Sequence, residues 1–358
     1  MRVTSSAAPD EDGAGRELAD LLTQILGGDL SRFGGGVRSA TWASLAQTGL
    51  LRLGIPEECG GIGGTVEDAA LVLDRCAEAG IVGPLCETLF VAGGFVCGTH
   101  LEVPQGVITA AVPERSGLRV MAERSGAGWS LRGTLPAVAW AEAADALFVA
   151  ARSEDGPLVA ILERADYRCT PGRNIADEPR DAVEIDCTVA DDKATVRPAD
   201  DLRWRAALGR SVQMLGAQRA CLNLTIAQVA RREQFGRRLD ANQVVRHMLA
   251  EFVGEVAATE AAVGTAVDAL GLGGGIYDER VSMMVAIARV QAARAATVTS
   301  GIAHQLHGAI GVTDEYPLHH FTSQLWAWRD ENGTEHEWAV ELASMGVHAG
   351  DLWKALTD

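Results

Sequence analysis

Lysine is nearly absent from this 358-residue chain: of 31 basic residues only Lys193 and Lys354 are lysines, and the rest are arginines. GC-rich coding accounts for that bias without invoking a function. Against 48 acidic residues the cations leave a net charge of -17. A polyanion needs clustered cations, so nucleic acid is excluded as a partner, although a local arginine pocket can still take a small anion. No apolar run approaches the roughly 18 residues of a membrane span. Residues 1–15 lack a basic segment followed by an apolar one, so they predict a mobile tail on a cytoplasmic protein with no secretory signal. The seven cysteines, Cys59, Cys76, Cys86, Cys97, Cys169, Cys187 and Cys221, form no Cys-x-x-Cys pair. Their spacing excludes a zinc site and a disulfide framework and predicts reduced, buried thiols.

What is present divides into three blocks. Up to residue 104 the pattern is helical, with Leu18, Leu21, Leu22, Ile25 and Leu26 forming one apolar stripe. Further helices are expected over 39–47 and 66–79 and after Pro84. From 105 to 200 the period shortens. Runs at 107–112, 146–150, 158–162 and 183–189 alternate with turn residues, and Trp129 to Gly133 reads as a strand entering a tight turn. From 201 to 358 four long amphipathic helices are expected, over 202–232, 241–270, 278–307 and 314–354. The Gly271-Leu272-Gly273-Gly274-Gly275 segment follows no strand, so it reads as a helix connection and not a phosphate loop. The fold class is α+β and mostly helical: an N-terminal helical domain, a middle antiparallel β-barrel or sandwich, and a C-terminal four-helix bundle.

This order, with its motifs, resembles the acyl-CoA dehydrogenase family. Trp42 to Leu50, then Gly54-Ile55-Pro56-Glu57-Glu58 and Gly60-Gly61, is similar to that family's N-terminal helix and loop. Gly128 to Gly133 resembles the strand that opens its middle domain. The sharpest matches are Arg232-Glu233-Gln234-Phe235-Gly236, with Gln243 after it, and Gln305-Leu306-His307-Gly308-Ala309-Ile310-Gly311. The resemblance implies FAD-dependent α,β-dehydrogenation of an acyl-CoA thioester, with each FAD contacted by two chains of a dimer or heterotetramer. It implies that Arg232, Gln234, Phe235, Gly236, Gln305, Gly308, Ala309, Gly311 and Thr334 bind the cofactor, with Arg232 facing its pyrophosphate.

The same resemblance exposes two departures. The family's active-site glutamate precedes a Gly-Thr pair; here the pair is Gly333-Thr334 and the residue before it is Asn332. The position on the first bundle helix that carries the base in other members is Ala206. Neither side chain removes a proton near neutral pH. The flavin-holding loop of the middle domain is shortened over 110–117 to Ala-Ala-Val-Pro-Glu-Arg-Ser-Gly. What is retained is the part that reaches a neighbour's FAD, which predicts the complementing subunit of a hetero-oligomer whose homologous partner supplies the base. Two alternatives stand beside it: a homo-oligomeric enzyme with Glu331 as a displaced base, although a cluster such as Arg329-Asp330-Glu331 on a late helix is usually a solvated charged face, and a binding or scaffold subunit without turnover. His304, His307, His319 and His320 have no converging carboxylate or cysteine, so no metal is expected. Trp326, Trp328 and Trp338 read as packing residues at helical spacing, with the lining of a pocket as the alternative.

Overall fold

The computed structural model describes residues 11–27, 36–96, 99–113, 117–198, 200–234, 236–272, 276 and 278–349. The apolar stripe from Leu18 to Leu26 lies on α1 (Glu11–Leu26) and packs into the helical core through Leu22. The helix takes in Glu11 to Gly15, which were expected in a mobile tail. In α2 (Ala40–Gln47) the Ser39 hydroxyl accepts from the Trp42 amide at 3.1 Å. In α3 (Val66–Glu78) Thr65 and Asp68 satisfy each other's backbone N–H groups in a capping box. After Pro84 the chain makes a π-helical turn, Glu87–Ala92, and then the short α4 (Gly93–Val96).

The middle unit is one sheet of β1 (Ile108–Ala111), β2 (Val120–Ser125), β3 (Gly128–Ala139), β4 (Ala146–Ser153), β5 (Gly156–Glu163), β6 (Tyr167–Thr170), β7 (Arg180–Ala190) and β8 (Ala194–Val196). It is mixed, not purely antiparallel as expected, because β1 and β2 both run parallel to β4. The long β3 carries the chain back across the sheet, so β4 re-enters in the direction of β1 and β2. The chain turns at Ser125-Gly126 (Gly126 φ +62), a turn its residue types announce, but the further turn expected after Gly133 is not formed, and β3 passes straight through Gly133. A Cβ at Gly133 would stand 2.6 Å from the Arg119 carbonyl oxygen, so that glycine serves close strand approach.

The unbroken apolar run of β4 reflects burial on both faces. Phe148 and Ala150 join Ile55, Phe95 and Leu202 in a core against the N-terminal helices, while Leu147, Val149 and Ala151 join Trp129, Leu131 and Ile185 in a second core. Each such side chain contributes about 1.5–3 kcal/mol on burial if it is the size of Val, Leu or Phe.

The last block holds α5 (Asp200–Arg231), α6 (Gln243–Gly271), α7 (Glu279–His307), α8 (Leu318–Asp330) and α9 (Glu335–Ala349). The single helix expected over 314–354 is therefore broken, and the break falls at Glu331 to Thr334. Central α5 packs on α3, α6, α7 and α8. Gly209 and Gly216, seven residues apart, let α5 come close to the segment 86–90 and to α3 respectively. A Cβ at the first would meet Cys86 Sγ at 2.6 Å and at the second the Asp74 carbonyl oxygen at 2.3 Å. By length and composition α7 is apolar enough to cross a membrane, yet 67% of its apolar window is buried inside the bundle. Of the Gly271–Gly275 connection, Gly273 to Gly275 lie outside the described residues, as do Cys97 and Lys354.

Candidate functional site

Between the sheet edge and the α8–α9 break lies a cavity of about 890 Å³. Ala110 and Ala111 of β1, Val138 and Ala139 of β3 and Ala150 of β4 form an apolar wall, and Trp326, Glu331, Asn332 and Gly333 close the opposite side. The break itself has a local cause. Asn332 takes a left-handed conformation (φ +59) and Gly333 follows at φ +109, which ends α8 and turns the chain into α9. Asparagine and glycine tolerate this region where other residues are strained. Thr334 then caps α9: its amide donates to Glu337 Oε2 at 2.8 Å, and its hydroxyl accepts from the Glu337 amide at 3.3 Å.

Under the break lies a buried set of charges. Arg180 Nε donates to Glu331 Oε1 at 2.8 Å and its Nη2 to Glu331 Oε2 at 3.0 Å. Arg210 Nη2 stands 3.0 Å from the same Oε2 and also pairs with Glu87. Glu178 accepts from Arg180 at 3.0 Å, from Asn174 at 3.0 Å and from the Trp328 indole at 3.0 Å. Fully buried Arg289 of α7 directs its Nη2 at the carbonyl oxygens of Trp328, Arg329, Glu331 and Gly333, at 2.9, 2.8, 2.6 and 3.1 Å. The two N–H groups of Nη2 are shared among these four oxygens, of which those of Trp328 and Arg329 are left open by the end of α8, and this pins the break. Arg180, Arg210 and Arg289 balance Glu87, Glu178 and Glu331.

Burial would push the Glu331 carboxyl up, but Arg180 and Arg210, with hydrogen bonds from Arg180 and Asn174, outweigh it and hold the group down at about 2. For Arg210 burial is likewise opposed, by Glu87 and Glu331, and the guanidinium is held above its ordinary range. Burial, then the neighbouring Arg210, draws Arg289 down to about 10, so it stays cationic at neutral pH.

This geometry corrects the displaced-base expectation for Glu331. The residue lines the cavity, as expected, and it is not a solvated face. A carboxylate held at about 2 by two arginines is a poor proton acceptor near neutral pH, because an effective base has its pKa near the operating pH. Asn332 also lines the cavity and carries an amide. Ala206 is buried with Phe95 and Leu202, its carbonyl accepting from the Cys86 thiol. Trp328 and Trp338 are buried packing residues; Trp338 lies edge-on to Trp204 with ring centroids 4.8 Å apart.

The two sequence motifs meet elsewhere. Arg232, just past the end of α5, donates from Nη1 to the His307 carbonyl oxygen at 2.7 Å. The next residue, Gly308, has φ +68, and a Cβ there would stand 3.2 Å from the same Nη1. Gln234, Gly236, Gln305, Gly308 and Ala309 are exposed around this point, and Gly311 is buried; Phe235 lies outside the described residues. A permanently charged guanidinium beside a glycine-opened backbone suits a phosphate oxygen. Of the shortened loop, Glu114, Arg115 and Ser116 also lie outside the described residues, while Pro113 and Gly117 border the cavity.

Each histidine of the pair on α7 is engaged. His304 Nε2 bonds the Thr322 hydroxyl at 2.9 Å, and His307 bonds the Ala303 carbonyl at 2.8 Å and the Tyr316 hydroxyl at 3.2 Å. Among the described residues no three His, Cys, Asp or Glu side chains converge to hold a metal.

Sequence reasoning missed Arg180, Arg210, Arg289, Glu87 and Glu178. Two carried a signal: Arg210 and Arg289 interrupt apolar faces of α5 and α7, and a buried arginine requires a partner.

Residues 205–336 match the family described as acyl-CoA dehydrogenase, C-terminal domain. The acyl-CoA dehydrogenase IpdE2 of Mycobacterium tuberculosis is 27% identical over 285 residues, covering 79% of this chain and 79% of that protein. A chain of the ChsE4-ChsE5 complex from Mycobacterium tuberculosis superposes with a TM-score of 0.79 at 22% identity, over 97% of this chain and 99% of that one. The Tcur3481-Tcur3483 steroid ACAD superposes with a TM-score of 0.82 at 23% identity, over 95% and 99%. These two superpositions establish the shared fold.

Proposed function

We propose that this chain, whose residues 205–336 match the acyl-CoA dehydrogenase C-terminal domain, belongs to that family as the complementing subunit of a cytoplasmic hetero-oligomer that oxidises an acyl-CoA thioester at its α,β bond. The observation that carries this reading is a separation. Along α5, Arg232 lies 22 residues beyond Arg210, which is about 33 Å at the rise of an α-helix. An arginine side chain cannot span that distance. In this reading the Arg232 cluster serves a cofactor other than one bound at the chain's own cavity, with half-buried Arg232 ringed by the exposed Gln234, Gly236, Gln305, Gly308 and Ala309.

In this reading Arg232 and the backbone at Gly308 hold the pyrophosphate of an FAD seated against the neighbouring subunit. Gln234, Phe235, Gly236, Gln305, Ala309 and Gly311 complete the set, whereas Thr334, which caps α9 at the break, belongs with the chain's own cavity and not with the Arg232 cluster. FAD, when bound, supplies the acceptor for the β hydrogen. The base that removes the α proton belongs to the homologous partner, because the cavity of this chain presents Asn332 and an ion-paired Glu331 instead. That cavity remains an acyl-group pocket without a base of its own. Support for a partnership of unlike chains also comes from the two paired names, ChsE4-ChsE5 and Tcur3481-Tcur3483, among the structural neighbours, the second of which is a steroid ACAD.

The test is purification of the chain alone and after co-expression with a homologous subunit, reading flavin absorbance, chain stoichiometry and thioester oxidation. A two-chain, flavin-bearing, active assembly is expected. A stable, flavin-bearing and active oligomer of this chain alone would overturn the division of labour. A two-chain assembly that binds flavin and oxidises no thioester would convert the reading to a scaffold role.

A further inference from the structure

Two cavities meet at the loop between β6 and β7. Beside the cavity of about 890 Å³ lies a second one of about 790 Å³, whose apolar lining includes Val37, Val82, Trp140, Ala143 and Ala176. Arg173 and Ile175 line both. Arg173 is drawn onto Asp177, its Nη1 lying 2.6 Å from the Asp177 carbonyl oxygen and 3.0 Å from the carboxylate. Ile175 is the apolar side chain common to the two cavities, and it stands 71% exposed between them.

The loop that carries Ile175 is fixed from within. The Asn174 side-chain oxygen accepts from the Ala176 and Glu178 amides at 3.0 and 3.1 Å, forming an Asx turn. The Asn174 backbone amide donates to the Glu178 carbonyl at 3.0 Å, and the Asp177 amide donates to the Asn174 carbonyl at 3.0 Å. Nδ2 of Asn174 reaches Glu331 Oε1 at 3.1 Å, which ties the loop to the α8–α9 break. A β-branched side chain has few rotamers on a backbone held in this way, so Ile175 keeps its place.

We propose that Ile175 determines the length of acyl group that this chain accepts: it is a fixed apolar partition between the acyl cavity and the second cavity, and a smaller residue in its place opens one into the other. The inference rests on the acyl-pocket reading of the 890 Å³ cavity. Its physical basis is the continuity of apolar surface. An acyl chain gains about fourfold in affinity for each CH2 it withdraws from water, so it extends as far as apolar walls run. Such walls lie on both sides of Ile175, with Ala110, Val138 and Ala139 on one and Val37, Val82 and Ala143 on the other. The branched side chain between them interrupts the path.

The experiment is isothermal titration of the purified assembly with straight-chain acyl-CoA thioesters from butanoyl to hexadecanoyl, comparing the parent chain with Ile175→Ala and Ile175→Phe. The partner is the same in each preparation, so any difference belongs to this chain. For the parent, affinity should climb by about fourfold per CH2 and then level off at one length. Ile175→Ala should leave thioesters below that length within about twofold and extend the climb by more than about three carbons, the number that the substitution removes. Ile175→Phe should end the climb sooner. Val82→Trp or, should that not fold, Val37→Trp fills the second cavity and should restore the parent limit in the Ile175→Ala background. A limit unchanged by both Ile175 variants overturns the partition and leaves the acyl-CoA reading standing. An extension that the filled second cavity does not reverse also overturns it, because the added length then lies elsewhere. Absence of binding by every thioester removes the acyl-CoA reading and the partition with it.

Discussion

Replacing Glu331 with glutamine separates an ion-pair anchor from a catalytic base. Two arginines hold the Glu331 carboxyl at about 2 in the folded chain, against an ordinary glutamate value of about 4.3. That difference corresponds to about 3 kcal/mol of stability at neutral pH. It agrees with the roughly 3–5 kcal/mol lost when one partner of a buried pair is removed, because Arg180 and Arg210 would stay buried with less compensation. For a chain of this length about 3 kcal/mol lowers the midpoint of thermal unfolding by about 4 °C. The folded-state pKa is depressed, so the contribution is present above about 4.3 and disappears as pH falls through about 2. The gap between the parent chain and Glu331→Gln should therefore be full at neutral pH and shrink to about half near pH 3. Thermal melts of both proteins in parallel, followed by circular dichroism, supply the reading. Equal midpoints at neutral pH would refute the anchor. Equal midpoints together with abolished thioester oxidation would restore Glu331 as the base.

At Asn332 the left-handed backbone, and not the amide, sets the preference: Asn332→Gly should leave urea unfolding unchanged, and Asn332→Ala should cost about 1 kcal/mol. Arg289→Met leaves the carbonyl oxygens of Trp328, Arg329, Glu331 and Gly333 without their donor, so chemical unfolding should register a loss of about 3 kcal/mol or more. Arg232→Met should lower the flavin retained by the assembly at least about tenfold, measured as absorbance after desalting, while the thermal midpoint moves by less than the equivalent of about 1 kcal/mol. Gly216→Ala forces a Cβ to within 2.3 Å of the Asp74 carbonyl oxygen, and the resulting separation of α3 from α5 should cost about 1–3 kcal/mol in urea unfolding.

The elements that could be read in advance are those whose signal is local. Thr65 and Asp68 announce the start of α3 because a capping box is a four-residue device. The stripe from Leu18 to Leu26 announces α1 because a helix repeats its face every three to four residues. The order of helices, sheet and helices followed from such signals, and so did the two motifs that meet at Arg232 and His307. The turn wrongly placed at Gly133 shows the limit of a local signal. A glycine that opens room for a neighbouring strand looks the same in sequence as one that turns the chain, and only the pairing with β2 distinguishes them.

From sequence alone came the family pattern, the missing glutamate before Gly333-Thr334 and the retained Arg232 motif, because each is a matter of residue identity at a fixed spacing. Tertiary structure alone decided what Glu331 does. Read in sequence, Arg329-Asp330-Glu331 suits a solvated helix face first and a displaced base second. Its meaning depends on Arg180 from the sheet and Arg210 from α5, which lie 151 and 121 positions away (331 − 180 and 331 − 210). The same holds for Arg289, which pins a break in a helix it does not belong to. A carboxylate's basicity is set by the charges within a few ångströms, and chain separation carries no information about which charges those are.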